Sequence, residues 1–196
     1  MAVVIDEAAS ALGAAVTEVI VALMLASVAR LLGTEPTLLV DIEGHGRPDP
    51  GEPVRGGDVA LDCGRTVGWF TQIAPVRVTA RTDAAVTSRE LAAALADQPD
   101  PLGYMALRHI HARTSRLLAE GGAQILVNYL GRGESREVLP TPPPSAPPRT
   151  PYAVEADVWV SGSSPRLVVQ FAVAESISDI VGQEITAETI TDAVRS

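Results

Sequence analysis

The chain has 196 residues and a formal net charge of −9. This length suits one domain with a substantial hydrophobic core, so we expect residues 1–196 to form a single domain. The acidic balance argues against a nucleic-acid surface, which needs clustered Lys and Arg. The single cysteine, Cys63, excludes an internal disulfide and favours a reducing compartment, the cytoplasm. With no activating group recognisable in the sequence, Cys63 is better interpreted as a small buried residue than as a nucleophile.

The first predicted element is one helix from about Ala8 to Leu32, which is rich in Ala, Leu and Val, lacks proline and ends at Gly33. The helix is apolar nearly all round, so we expect it to lie buried on a sheet. Its apolar run from Val19 to Leu32 is too short to span a membrane, and Glu18 flanks it. The N-terminus also lacks the basic region of a secretory signal.

Strands and a loop are predicted next. Thr37 to Glu43 is apolar and partly β-branched, which favours a strand. Pro48 to Gly57 has a loop composition that cannot pack into a core. Trp69 to Thr79 is rich in β-branched residues and is predicted to be a pair of strands interrupted at Pro75.

Two helices follow in the middle of the chain. Thr87 to Glu90 has the pattern of a capping box and predicts a helix that continues to about Ala96. A second helix is predicted from Gly103 to Ala119 and carries His109 and His111. Since these histidines are two positions apart, they lie on different faces of a helix and cannot share a metal ion, and we expect no metal site.

The last part of the chain returns to strands. Gln124 to Leu130 predicts one strand, and the proline-dominated stretch 140–151 predicts an internal loop or spacer rather than a ligand for an SH3-like partner. Val154 to Val160 and Arg166 to Val173 alternate around a Ser/Gly/Pro turn, which indicates a hairpin. Thr186 caps a final predicted helix to about Arg195. Together these elements predict an α/β fold, a two-layer sandwich in which helices flank a mixed β-sheet.

Charged side chains lie between glycines directly after the first strand. Glu43, His45 and Arg47 alternate with Gly44 and Gly46. Glycine lets the backbone approach a ligand closely, so these side chains can be directed into a cleft. A surface turn held by salt bridges is the alternative interpretation.

Four motifs in this order carry a family resemblance: EGHGR at 43–47, RTVGWFT at 65–71, GYMALR at 103–108 and VNYLG at 127–131. The sequence resembles the second half of a nonribosomal peptide synthetase condensation-type domain, most closely the epimerization subtype, over nearly its whole length. The resemblance implies one lobe of a chloramphenicol-acetyltransferase-like fold. The family's first half carries an HHxxxDG motif, which this sequence lacks.

The resemblance also implies roles for individual residues. Glu43 matches the glutamate that serves as one acid/base partner in epimerization, with the opposing histidine on the other lobe. Asn128 and Tyr129 match residues that line the same cavity, and together with Glu43 they are the predicted catalytic residues. Residues predicted along the substrate and pantetheine tunnel are His45, Arg47, Arg65, Trp69 and Tyr104. For Arg65 a structural ion pair is the alternative, and Trp69 with Phe70 is also interpreted as core.

The resemblance implies L-to-D epimerization at Cα of an aminoacyl or peptidyl thioester. The thioester is carried on the phosphopantetheine of a partner peptidyl carrier protein, and no cofactor is expected on this chain. We expect the chain to be inactive alone. Its expected partner is an N-terminal lobe supplied in trans or a second copy of this chain, bound through the exposed interface. A condensation (amide-forming) lobe and a non-catalytic module that binds a carrier protein are the alternatives. Departures from the family motifs at Gly64, Met105 and Val127, and at Pro48 after EGHGR, indicate a relaxed site.

Overall fold

The structure is a computed structural model that describes residues 2–47, 62–98, 100–118, 122–133, 151–161 and 166–174. The loop predicted at 48–57, the final helix predicted from Thr186 and all but the last residue of the proline-rich stretch lie outside these residues.

The described residues form five helices and five strands, which follow one another in groups of two or three of the same type. They are α1 (Ala2–Leu12), α2 (Val16–Leu32), β1 (Thr37–Gly44), β2 (Gln72–Thr79), α3 (Ala84–Ala96), α4 (Pro101–His109), α5 (Ala112–Leu118), β3 (Ile125–Gly133), β4 (Val154–Ser161) and β5 (Arg166–Val173).

The five strands form one mixed sheet in the order β2-β1-β3-β4-β5. The three central strands β1, β3 and β4 are parallel, while β2 and β5 pair antiparallel at the two edges. Parallel neighbours require a crossover between them, and α3, α4 and α5 lie in the connection from β2 to β3. The predicted α/β class with a mixed sheet is confirmed.

The core lies on one face of the sheet, under α1, α2 and α3. Val40, Val127 and Val158 from the three central strands are fully buried there and pack with the helix residues Leu25 and Leu91. Helix α2 buries nine of its residues, as expected for a helix that is apolar nearly all round. The burial of these large aliphatic side chains is the main term that holds the sheet and helices together.

The predicted N-terminal helix is wrong in one respect, because it is two helices. Gly13 adopts a left-handed conformation (φ 60°) and ends α1, and the backbone N–H of Ala15 donates to the Glu18 carboxylate at the start of α2. The two helices meet at 103°. The predicted end at Gly33 is confirmed by its left-handed φ of 63°. No single helix among the described residues is long and apolar enough to cross a membrane.

The middle helices also differ from the sequence prediction. The cap of α3 is Asp83, whose side chain accepts from the N–H groups of Ala85 and Val86, so the helix begins three residues before Thr87. Thr87 is instead buried inside the helix. The second predicted helix is two helices, because the helix is interrupted at Ile110 and His111, between α4 and α5.

Residues 72–79 form one strand rather than a pair. Pro75 lies within β2, which is tolerated because β2 is an edge strand and one side of its backbone needs no hydrogen bonds to a neighbouring strand. The predicted strands near 37–43 and 124–130 are confirmed by β1 and β3. The predicted antiparallel pair of β4 and β5 is confirmed as well.

Candidate functional site

A row of polar side chains crosses the sheet on the face opposite the core. Side chains alternate between the two faces of a strand. Ile42, Val127 and Val158 pack in the core, so the neighbouring residues Glu43, Asn128 and Asp157 lie on the other face. Strand pairing places Glu43 beside Asn128 and Asn128 beside Asp157. We call these three residues the polar row.

The polar row has a definite hydrogen-bond pattern. Nδ2 of Asn128 donates to Oδ1 of Asp157 at 3.1 Å. Glu43 is half-buried and makes no hydrogen bond to another described residue. Burial, and then the nearby negative charge of Asp157, raise the pKa of the Glu43 carboxyl above its ordinary value. Glu43 therefore binds a proton more tightly than an exposed glutamate does.

Tyr129 is separated from the other two predicted catalytic residues. It follows Asn128 on β3, and its side chain packs against the core cluster on the helix side of the sheet. The structure therefore brings Glu43 and Asn128 together and leaves Tyr129 on the opposite face. A direct contact of Tyr129 with substrate stays a prediction.

The turn after Glu43 is joined to the segment 62–71. Gly46 has a φ of 63° and lies against the backbone of Phe70. The Arg47 guanidinium donates to the carbonyl of Cys63 and, at 3.0 Å, to that of Thr66. The guanidinium carbon Cζ of Arg47 lies 4.3 Å from the centroid of the Phe70 ring. The first two motifs are thus one structural unit, with Arg47 as its main link.

His45 helps to shape the same turn. Its side chain is exposed, and Nδ1 accepts a hydrogen bond from the backbone N–H of Arg47 at 3.1 Å. This bond holds the imidazole over its own turn rather than over the polar row. A tunnel role for His45 or Arg47 stays a prediction.

The two predicted tunnel residues of the second motif are both on the surface. Trp69 is 89% exposed, so its interpretation as core is wrong, while Phe70 is half-buried under Arg47. Arg65 is exposed and makes no ion pair with another described residue, which leaves its alternative structural role without support. Cys63 is half-buried rather than buried, because its segment rests on the turn and not in the core.

A second polar cluster lies on the same face, closer to the beginning of β1. Asp41 is 5% exposed, and its Oδ2 accepts from the Tyr152 hydroxyl at 2.8 Å. Its Oδ1 is buried without a hydrogen-bond partner. Arg108 of α4 lies near enough to act on both groups electrostatically and donates to the hydroxyl of Tyr104 at 2.7 Å. Burial, and then Asp41, raise the pKa of Tyr152, which stays neutral.

Sequence reasoning missed Asp157, Asp41 and Tyr152. Asp41 and Asp157 each alternate with buried apolar residues along their strands, a sign that both point away from the core. The pairing of β3 with β4, which brings Asp157 to Asn128, has no local sequence signal. Among the described residues, no group of three or more His, Cys, Asp or Glu side chains could hold a metal ion.

An apolar cavity of about 350 Å³ lies on the other side of the sheet. It is lined by α1, α2, α3 and β5, and Ser88 is its one hydroxyl-bearing residue. The sheet separates this cavity from the polar row, so it adds no group to the site.

Comparisons with known proteins give a consistent result. No protein-family model matches the chain. A linear gramicidin synthase protein from Brevibacillus parabrevis is 33% identical over 119 residues, which is 56% of this chain and 2% of that protein. Bacitracin synthase 3 from Bacillus licheniformis is 35% identical over 107 residues, which is 53% of this chain and 2% of that protein. The chain therefore spans only a small part of these curated relatives.

Several solved structures share the fold. The epimerization domain from the third module of tyrocidine synthetase B matches with a TM-score of 0.61 at 20% identity, over 95% of this chain and 42% of that one. The first condensation domain of the CDA synthetase matches with a TM-score of 0.56 at 18% identity, over 98% and 40%. This chain thus corresponds to somewhat less than half of each solved domain.

Proposed function

We propose that this chain, which has the fold of the C-terminal half of a nonribosomal peptide synthetase condensation-superfamily domain, works as the C-terminal lobe of an epimerization-type domain. In this role it contributes to L-to-D epimerization at Cα of an aminoacyl or peptidyl thioester. The thioester is carried on the phosphopantetheine arm of a separate carrier protein.

The observation that carries this proposal is the state of Glu43. Its carboxyl is half-buried at the end of β1, beside an amide and within the field of a second carboxylate, and its pKa is raised. A group that exchanges protons with carbon works best when its pKa lies close to the working pH. A turn held only by salt bridges would instead lower the pKa of its carboxylate.

The chemistry needs two groups on opposite sides of the substrate. One group removes the Cα proton, and the electron pair of the broken C–H bond is delocalised onto the thioester oxygen as an enolate. The other group delivers a proton to the opposite side of Cα, and the carbonyl forms again. Glu43 supplies one of these groups, and Asn128 is placed to position the substrate beside it.

The second group is expected on a partner lobe. Glu43, Asn128 and Asp157 all lie on one face of one sheet and can reach only one side of a substrate. Large apolar side chains are also left exposed: Val67 is fully exposed, and Ile110 and Leu117 are 83% and 72% exposed. These surfaces suit an interface with an N-terminal lobe in trans or with a second copy of this chain.

We propose that the residues around the turn border a passage for a carrier arm. Arg47 holds the segment 62–71 against the end of β1, and Trp69 projects from that segment. Tyr104 on α4 lies on the same side of the sheet as Asp41, because Arg108 donates to the Tyr104 hydroxyl and also interacts electrostatically with Asp41. We place the pantetheine arm between these elements, with Arg65 and His45 at its exposed rim.

Deuterium incorporation at Cα of a carrier-bound aminoacyl thioester tests the proposal. It is measured with this chain alone, with an N-terminal lobe bearing HHxxxDG alone, and with both together. The proposal expects exchange only with both. Amide formation without exchange would assign the chain to condensation instead. Carrier-protein binding with neither reaction would assign a non-catalytic docking role, and both results would overturn the proposal.

A further inference from the structure

Asp157 takes no part in the proposed proton transfer, although its side chain is hydrogen-bonded to Asn128 of the site. It lies on β4, two strands away from Glu43, which is about 10 Å between the backbones. Asn128 on β3 fills the position between the two acids and donates from Nδ2 to Oδ1 of Asp157.

We propose that Asp157 is a positioning residue for Glu43, and that it acts through the side-chain amide of Asn128. This inference rests on the proposed function for its catalytic meaning, but its physical content concerns only this chain.

The Asn128 amide has two chemically different ends. A side-chain amide has NH₂ donors on one side and a carbonyl acceptor on the other. A carboxylate can only accept hydrogen bonds, so Asp157 fixes which end of the Asn128 amide faces β4. With Nδ2 turned to Asp157, the carbonyl end is the one left for β1. Glu43 lies on that side, as the register partner of Asn128, although no hydrogen bond joins the two side chains.

An acceptor beside a carboxyl group favours its protonated form, which can donate a hydrogen bond to it. The charge of Asp157 acts in the same direction on Glu43, after burial. The strands also carry the charged residues Asp41, Arg77, Glu155 and Arg166 on this face, by alternation with core residues. Tyr152 donates to Asp41, and Arg108 donates to Tyr104 of its own helix. The orientation of Asn128 and the protonation of Glu43 are therefore coupled to one carboxylate.

A carbon-13 NMR titration of the Glu43 carboxyl in the full chain tests this, with the signal assigned by its absence in Glu43→Gln. The comparison is between wild type, Asp157→Asn, Asp157→Glu and Asp97→Asn. Asp97→Asn is the matched control, because it removes an exposed aspartate at the end of α3.

The titration midpoint of Glu43 is expected to move down in Asp157→Asn and to stay in place in Asp97→Asn. Asp157→Glu keeps the charge, so its midpoint stays nearer to wild type. The Asn128 side-chain NH₂ signal is expected to shift in Asp157→Asn at neutral pH. An unchanged midpoint or an unchanged NH₂ signal in Asp157→Asn would overturn the inference.

The outcome is independent of epimerization, since the titration needs neither a thioester nor a second lobe. If no Cα exchange is ever found, a lower midpoint together with a shifted Asn128 NH₂ signal in Asp157→Asn still supports the coupling. If exchange depends on Glu43 but the midpoint does not respond to Asp157, only the role of Asp157 fails.

Discussion

Gly46 lies so close to Phe70 that a Cβ atom added to this glycine would be 1.7 Å from the Phe70 carbonyl oxygen. No side chain fits at this distance. The EGHGR turn and the segment that carries the second motif are therefore packed backbone to backbone, directly after Glu43. The contact explains why a glycine is needed at this position beyond its left-handed φ of 63°.

Gly46→Ala is expected to destabilise the chain much more than Gly33→Ala. Both glycines have a φ of 63°, but an added Cβ at Gly33 meets no atom within 4 Å. Gly33→Ala should cost about 1 kcal/mol for the left-handed conformation alone. Gly46→Ala adds about 1–3 kcal/mol for the clash. Urea unfolding of both variants checks this, and equal losses would contradict the close contact.

Arg47→Lys is expected to loosen the segment 62–66 and expose Cys63. Lysine keeps the charge but cannot reach both the Cys63 and Thr66 carbonyls with a planar group, so about 1–2 kcal/mol of stability is lost. The rate of thiol labelling at Cys63 should rise. Arg65→Lys is the control, since Arg65 is exposed and lies two residues after Cys63 in the same segment. A labelling rate that Arg47→Lys leaves at the wild-type value would refute the link.

Tyr152→Phe is expected to destabilise the fold, because it removes the hydrogen bond to the buried Asp41 carboxylate. The change removes the hydroxyl that donates to Oδ2, while Oδ1 already lacks a partner. We expect a loss of about 1–3 kcal/mol of unfolding free energy. The loss should be smaller in an Asp41→Asn background, because a neutral side chain is less costly to bury. Additive losses in the double-mutant cycle would count against a direct Tyr152–Asp41 interaction.

Glu43→Gln is expected to stabilise the fold at neutral pH relative to wild type. A carboxyl whose pKa is raised on folding binds more protons in the folded state, so wild-type stability falls as pH rises above the ordinary value of 4.5. Below that value Glu43 is protonated in both states and this pH-dependent difference disappears. Thermal unfolding of both chains between pH 3 and pH 7 provides the measurement. A variant that is less stable at pH 7 than at pH 3, relative to wild type, would show the opposite sign.

Most of the sheet follows from local sequence pattern. β1, β3, β4 and β5 have the alternating or β-branched composition that predicts strands, and the burial of Val40, Val127 and Val158 follows from it. The helix boundaries were harder because capping competes with composition. Gly13 divides a run of good helix formers that continues on both sides, and Asp83 caps α3 although Thr87 has a fuller capping pattern.

The site was only partly predictable from the sequence. Glu43 and Asn128 are predicted as site residues from the sequence motifs, and strand pairing places them side by side. Tyr129 shares a motif with Asn128, but alternation along a strand puts neighbours on opposite faces. Trp69 was interpreted as core from its size, whereas the link between Arg47 and its segment leaves it exposed. Asp157 belongs to no motif and enters only through the pairing of β3 with β4.

The central claim is that the Glu43 carboxyl exchanges a proton with Cα of a carrier-bound thioester. The most direct measurement is the rate of deuterium incorporation at Cα, with an N-terminal lobe supplied, for wild type, Glu43→Gln and Glu7→Gln. Glu7 is an exposed glutamate on α1 and controls for the loss of charge. We predict a fall of about 100-fold or more for Glu43→Gln and no change for Glu7→Gln. Exchange by Glu43→Gln at the wild-type rate would contradict the claim.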